Sequence, residues 1–154
     1  MAYPRSSSNF TKPATFGPPL IGALLRMPWE EVQRRMLERL HEEGFDDLDA
    51  AHLAVFQYPG PQGARPSELA ARLRISKQAL NYLLGELERR GYLERRPDPE
   101  DLRSKRIALA VRGVEAIRVI REAVEEKERE WEKELGERRF AELRALLLEL
   151  DERG

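Results

Sequence analysis

Apolar positions divide the chain into six helical stretches and one short region of alternating character. From Leu20, the residues Leu20, Leu24, Met27, Val32, Met36, Leu37 and Leu40 fall roughly on one stripe, the spacing of an amphipathic helix. Pro28 lies inside that stripe. It lacks an N–H and its ring crowds the preceding turn, so a kink or break is expected near Met27. Gly44 suits the position just past the helix end, and His41 sits in the last turn, where a cation complements the dipole. Asp46, Asp47 or Asp49 can cap a second helix running from Leu48 to about Tyr58. Pro59-Gly60-Pro61-Gln62-Gly63 reads as a turn.

A short helix then starts at Pro66, which suits the first helical position, with Glu68 in the first turn and Leu69, Ala70 and Leu73 on the apolar face. Arg74-Ile75 is a tight connection. Ser76 caps a longer helix that ends before Gly91. Its Leu80, Leu83, Leu84 and Leu87 recur at helical spacing, and Gln78, Asn81, Tyr82, Gly85 and Arg89 lie opposite. After Gly91 the period changes. Tyr92–Arg96 and Lys105–Leu109 read as two strands, with Pro97-Asp98-Pro99-Glu100-Asp101 as turn and loop between them. A long helix from about Val111 to Leu135 carries Val114, Ile117, Ile120, Val124, Trp131 and Leu135. Gly136 separates it from a last helix with Phe140, Leu143, Leu146, Leu147 and Leu150.

The expected fold is α+β and mostly helical: a winged helix-turn-helix with N- and C-terminal dimerisation helices. Residues 1–19 hold four of the ten prolines and three consecutive serines, and are expected as an extended tail that packs across a partner subunit. Residues 20–45 are then an N-terminal dimerisation helix, 46–110 the winged helix-turn-helix and 111–154 the C-terminal dimerisation helices. The dimerisation candidates are Leu20 and Leu24 at one end, Ile117, Ile120, Val124 and Trp131 in the long helix, and Leu143, Leu147 and Leu150 in the last. These faces need cover, and a two-fold assembly would set two reading helices about 34 Å apart, the spacing of successive major grooves in a palindrome.

Charge sharpens the picture only when it is divided. The chain of 154 residues has 27 basic and 28 acidic side chains, so the total names no partner. By segment the net is −3 over residues 26–65, +4 over 66–112 and −4 over 113–154. A basic middle between acidic flanks suggests a local anion-binding face. The absence of cysteine removes disulfides, cysteine–zinc sites and thiol chemistry. Gly17–Leu25 is too short to span a bilayer, and a soluble, cytoplasmic protein with no membrane partner is expected. No phosphate-binding glycine loop, G-x-S-x-G or H-E-x-x-H motif occurs, so an enzyme is not expected, nor a cofactor. His41 and His52 with Glu42 or Glu43 would make a thin metal site, and solvated or hydrogen-bonded histidines explain them better.

The remaining candidates point to double-stranded DNA. Lys77, Gln78, Asn81 and Tyr82 form a polar face near the start of the second helix of the pair. Gln and Asn can bond adenine bidentately, and Lys can reach guanine or phosphate. The helix starts at Ser67 and Ser76 offer backbone N–H groups to phosphates. Arg95, Arg96, Arg103, Lys105 and Arg106 crowd the hairpin, and an arginine-rich loop fits a narrow minor groove.

The stretches Ser67-Glu68-Leu69-Ala70, Ile75-Ser76-Lys77-Gln78, Leu87-Glu88-Arg89-Arg90-Gly91-Tyr92-Leu93 and Asp98-Pro99-Glu100-Asp101-Leu102-Arg103 resemble the MarR family of bacterial transcription regulators. The resemblance covers roughly residues 20–150 in element order, and its specific part is 66–113. It implies a homodimer built by the terminal helices, and a ligand-responsive repressor acting at a palindromic operator. It also implies an Asp-x-Arg wing motif, matched by Asp101 and Arg103, in which the acid positions an arginine that enters the minor groove. Two departures stand out: Ala110, where the family usually has Thr at the start of the long helix, and Pro28. The family's small-molecule effector pocket often lies between the reading lobe and the dimer helices. Trp29, Phe45, Phe56 and Tyr58 are its candidate lining here, although Phe45 and Phe56 also suit an ordinary core. Without cysteine, the peroxide-sensing mechanism of some relatives is excluded. The alternative from a different class is a winged-helix adaptor that binds protein rather than specific DNA. Such an adaptor would have no need of Arg103, Lys105 and Arg106 in its wing.

Overall fold

The computed structural model describes residues 18–56, 63–101 and 103–152. Nearly all of the expected tail, the candidate Tyr58 and most of the Pro59–Gly63 turn lie outside them. The element order is α1 (Ile21–Glu42), α2 (Ala50–Phe56), α3 (Pro66–Leu73), α4 (Lys77–Arg89), β1 (Leu93–Pro97), β2 (Lys105–Leu109), α5 (Val111–Leu135) and α6 (Glu137–Glu152). The fold is mostly helical with a small antiparallel sheet, a winged helix-turn-helix.

The local signals act where the sequence places them. Gly44 ends α1 at φ +85°. Asp49 Oδ1 accepts from the N–H groups of Ala51 (2.9 Å) and His52 (3.2 Å), which starts α2. Pro66 opens α3, and Glu68 reaches back to the Arg65 N–H at 3.0 Å. Arg74 takes the left-handed conformation at φ 53° and turns the chain into Ser76, whose Oγ accepts from the Ala79 N–H at 3.1 Å. Leu80, Leu84 and Leu87 of α4 are fully buried with Leu69, Tyr92 and Ile107.

Three expectations change. α1 runs through Pro28 without a break. Proline's fixed φ is itself helical, one missing hydrogen bond is a small fraction of a 22-residue helix, and the flanking turns are exposed, so the ring displaces no core. The hairpin is not alone: Ala64 exchanges both backbone hydrogen bonds with Ile107 (2.9 and 2.8 Å), tying the wing to the segment before α3. One isolated pair leaves no alternation to read. The register pairs Leu93 with Leu109 and Arg95 with Ile107, and Tyr92 enters the core ahead of β1.

The third change concerns α5, which packs along α1. Its buried seam is Gly113, Ala116, Val119 and Ala123. Ile117, Ile120, Val124 and Trp131 flank that seam half-buried, and Val114 is exposed. Small residues let the two helices approach closely, so the larger side chains splay to either side. Arg35–Glu126 (2.9 Å) and Lys127–Glu31 (3.1 Å) pair across the same contact. Gly113 shows how tight the α5 start is, since a Cβ there would lie 2.0 Å from the Tyr92 carbonyl oxygen. Ala110, at the N-cap, has no side-chain cap.

Candidate nucleic-acid interface

α4 presents two unlike faces. Leu80, Leu84 and Leu87 point inward, while Lys77, Gln78, Asn81 and Tyr82 are exposed, Tyr82 at 66%. These four candidates lie on the first turns of one straight helix, together with the exposed Ser76 cap. Ser67, in the first turn of α3, is exposed close by. A shallow depression between the two helix starts is lined by Pro66, Ser67, Lys77, Leu80 and Asn81. Side-chain amides, a hydroxyl and an ammonium gathered on one exposed face suit base edges and phosphates.

The wing divides into a tied part and a free part. Arg103 and Lys105 are exposed at and beside the tip. Arg95 Nε donates to Glu88 at 2.6 Å, and Arg96 Nε to Glu94 at 2.5 Å, so both strand arginines are held by neighbouring acids while remaining at the surface. Arg106 is turned inward, pairing with Asp98 (3.1 Å) and Glu100 (3.4 Å). Asp101 behaves differently from expectation. Its Oδ1 accepts from the Arg103 backbone N–H (3.1 Å) and its Oδ2 from the Ser104 hydroxyl (2.7 Å), so it shapes the turn rather than gripping the Arg103 guanidinium. The Ser104 and Arg103 hydrogen bonds hold its pKa below the usual carboxylate value.

Two polar clusters escaped the sequence reading. Asp98 is fully buried and accepts from Arg65 Nε at 2.6 Å and from the Glu100 N–H at 3.0 Å. The Arg65 bond foremost, then that backbone bond, lowers its pKa to about 2. The second cluster joins the reading lobe to α5. Tyr92 donates to Asp47 at 2.5 Å, Arg112 bonds both Asp47 carboxylate oxygens at 3.0 and 3.1 Å, and the Arg112 guanidinium lies 4.3 Å from the centre of the Tyr92 ring. Burial raises the Asp47 pKa, but hydrogen bonds from Tyr92 and Arg112 outweigh it and the net shift is downward. Tyr92 is pushed up, first by burial and then by Asp47. The only sequence signals were an Asp followed at i+2 by a loop amide, and single charges with distant partners.

Among the described residues, Phe45 and Phe56 both pack on Tyr92, the latter at 5.7 Å, and Trp29 stands apart from them. Phe45 packs against Tyr92 with centroids 6.2 Å apart, Trp29 is 44% exposed on α1, and Phe56 alone lines a cleft of about 340 Å³ between α1, α2, β2 and α5. The histidines do not meet at a metal site either. His52 Nε2 faces Glu86 at 3.3 Å, His41 faces the Leu48 carbonyl at 3.4 Å, and no cluster of metal-ligating side chains occurs among the described residues. No helix among them is long and apolar enough to cross a membrane.

Residues 46–104 match the family model described as the MarR family. The chain is 30% identical over 87 residues to an uncharacterized HTH-type transcriptional regulator, YkoM, of Bacillus subtilis; the match covers 56% of this chain and 55% of that protein. It is similar in structure to the transcriptional regulator Tm0710 of Thermotoga maritima (28% identity, TM-score 0.58, covering 85% of this chain and 91% of that one). It is also similar to a cysteine-to-serine mutant of MarR from E. coli (26% identity, TM-score 0.66, covering 88% and 98%).

Proposed function

On the premise that residues 46–104 form a MarR-family winged helix-turn-helix, in a family of transcription regulators and not enzymes, we propose that this protein is a DNA-binding transcription regulator. It acts as a homodimeric repressor on a palindromic operator. Lys77, Gln78, Asn81 and Tyr82 enter the major groove, the helix starts at Ser67 and Ser76 meet phosphates, and Arg103 with Lys105 enters the flanking minor groove. The observation that carries this reading is the exposed polar face of α4 set beside a wing whose tip cations are unburied. An adaptor would have no use for that pairing.

Dimerisation falls to the uncovered apolar faces: Leu20 at the N-cap and Leu24 in α1, and Leu143, Leu147 and Leu150 of α6 are all exposed. Ile117, Ile120, Val124 and Trp131 support that layer from within the chain. The cleft beside Phe56, lined also by Met36, Leu53, Leu109, Ile117, Ile120 and Arg121, has the apolar walls that suit a small apolar effector.

Selection of bound sequences from a random DNA pool tests the reading. A two-fold symmetric consensus is expected. Gln78→Ala or Asn81→Ala should cost roughly 1–3 kcal/mol on that consensus and little on random DNA. Absence of any enriched sequence overturns the proposal, and equal losses on both DNAs remove these residues from base recognition.

A further inference from the structure

We propose that Asp98 is a positioning residue for DNA recognition: paired with Arg65 and Arg106, it holds the wing tip carrying Arg103 at one angle to the recognition helix. This rests on the DNA-binding reading above and adds to it which groups keep the two reading elements in register.

Asp98 stands where β1 ends and the hairpin loop begins. Its neighbours Pro97, Pro99, Glu100 and Asp101 are exposed, yet Asp98 itself is fully buried. One carboxylate there joins three parts of the chain. Oδ2 accepts from Arg65 Nε at 2.6 Å, and Arg65 immediately precedes α3. Oδ1 lies 3.1 Å from Arg106 Nε on β2 and accepts from the Glu100 N–H at 3.0 Å within the loop. The Asp98 backbone closes the same loop, its N–H donating to the Ser104 carbonyl (3.2 Å) and its carbonyl accepting from the Asp101 N–H (3.2 Å). Glu100 repeats the connection at the surface, receiving Arg65 at 3.2 Å and Arg106 at 3.4 Å.

The Ala64–Ile107 backbone pair, the buried side chains of Leu93 and Ile107 and the Arg95–Glu88 pair hold the two strands against the lobe. All of these act on the strands and not on the loop beyond Pro97. The buried carboxylate attaches that loop, nearer the tip. The charge-assisted hydrogen bond from Arg65 is directional as well as strong, so it fixes an angle and not merely a contact, and Arg106 adds an ion pair beside it. An acid facing DNA weakens association through Coulomb repulsion. Asp98 avoids this by lying under two arginines. In return Arg106, whose side chain is 18% exposed, is engaged internally, which leaves Arg103 and Lys105 as the groove-facing cations of the tip. A rigid arm enters the minor groove without losing conformational freedom on binding.

The test is a double-mutant cycle on the consensus selected by the wild-type protein. Asp98→Asn, Arg103→Ala and the double variant are compared with wild type. Asp98→Asn is expected to weaken binding roughly ten-fold in the wild-type background and hardly at all once Arg103 is gone. Hydroxyl-radical footprints of Asp98→Asn should lose the flanking minor-groove protection, while dimethyl sulfate footprints keep the protection of major-groove guanine N7 beneath α4. Equal losses in both backgrounds would make Asp98 a general support of the lobe and overturn the inference. No loss in either background overturns it as well. If Asp98→Asn does not fold by circular dichroism, Arg65→Gln, which leaves Asp98 paired with Arg106, enters the same cycle. A wild-type protein that selects no DNA is a different result and removes the parent reading together with this one.

Discussion

The reading lobe and the terminal helices both bury apolar side chains, but the lobe seals its stripe while the start of α1 and most of α6 leave theirs open. In the lobe, Leu69, Leu80, Leu84, Leu87, Tyr92 and Ile107 are all sealed. In the terminal helices, Leu20 is 81% exposed and Leu150 63%, and Phe140 is the one large apolar side chain of α6 that is buried among the described residues. Propensity does not explain the contrast, since both regions are helical and amphipathic. It lies in what each face has to pack on. The lobe surrounds its apolar stripe with α2, α3 and the wing. Among the described residues α6 packs chiefly on α5. The lobe therefore closes its apolar faces, whereas the ends of the flank leave theirs open, as the proposed dimer requires. Substitutions in the first should be read in folding, and in the second in assembly.

The largest effect is expected where that difference is sharpest. Leu84→Ala opens a cavity under α4 and should cost about 2–5 kcal/mol of unfolding free energy, measured in urea. Leu147→Glu, on the 42% exposed α6 position, should leave secondary structure intact but halve the mass found by sedimentation. An unchanged mass for Leu147→Glu would move the interface elsewhere and break the comparison.

Gly113→Ala probes the seam between the two regions. Its Cβ would meet the Tyr92 carbonyl oxygen, which is backbone and cannot rotate aside. That oxygen also accepts the Ala110 N–H at 3.0 Å, so relief requires α5 to shift on the lobe. A loss of about 1–3 kcal/mol is expected in thermal or denaturant unfolding. Lobe and flank that unfold in separate transitions after this substitution would show that the seam couples them.

What the sequence disclosed follows the range of each interaction. Caps at Asp49, Pro66 and Ser76, the stripe Leu80–Leu84–Leu87 and the two strands all depend on neighbours within a few positions, and the pattern records them. Pro28 misled because its cost is local, while the helix is held by Val32, Met36 and Leu40 against α5. The α5 seam misled in another way: hydrophobicity ranks Ile117 and Ile120 above Gly113 and Ala116, but close packing of two helices selects for small volume. The exposed candidates on α4 and at Arg103 were legible as a polar face and a basic loop. Asp98 with Arg65, 33 positions away, and Asp47 with Arg112, 65 away, were not, because nothing local marks which charge will be buried.

Acid should separate the wing's attachment from the rest of the lobe. The carboxyl of Asp98 has a folded-state pKa of about 2, held down chiefly by Arg65. Its unfolded value is near 3.9. A depressed pKa means that its contribution to stability is complete above about pH 4 and is lost as pH falls through about 2. Wild type should therefore melt above Asp98→Asn at neutral pH, and the gap should narrow between about pH 4 and pH 2. A gap independent of pH would mean that the asparagine loses shape complementarity and not charge.

The smallest expected effect is a gain. Ala110 has the extended N-cap geometry at the start of α5, φ −80° and ψ 174°, but offers no side-chain acceptor to the first-turn N–H groups. Ala110→Ser should supply one at no cost in backbone strain and stabilise by about 1 kcal/mol. The position is half-buried, at the seam between lobe and flank, and away from the candidate DNA-facing residues. Operator affinity should thus stay unchanged while the melting temperature rises. How it rises bears on the comparison between the two regions. If α5 unfolds cooperatively with the lobe, the whole single transition moves upward. If the flank is an independent layer held together by its partner, only a later, concentration-dependent transition moves. A melting temperature that falls would show that the hydroxyl finds no amide and has only been buried.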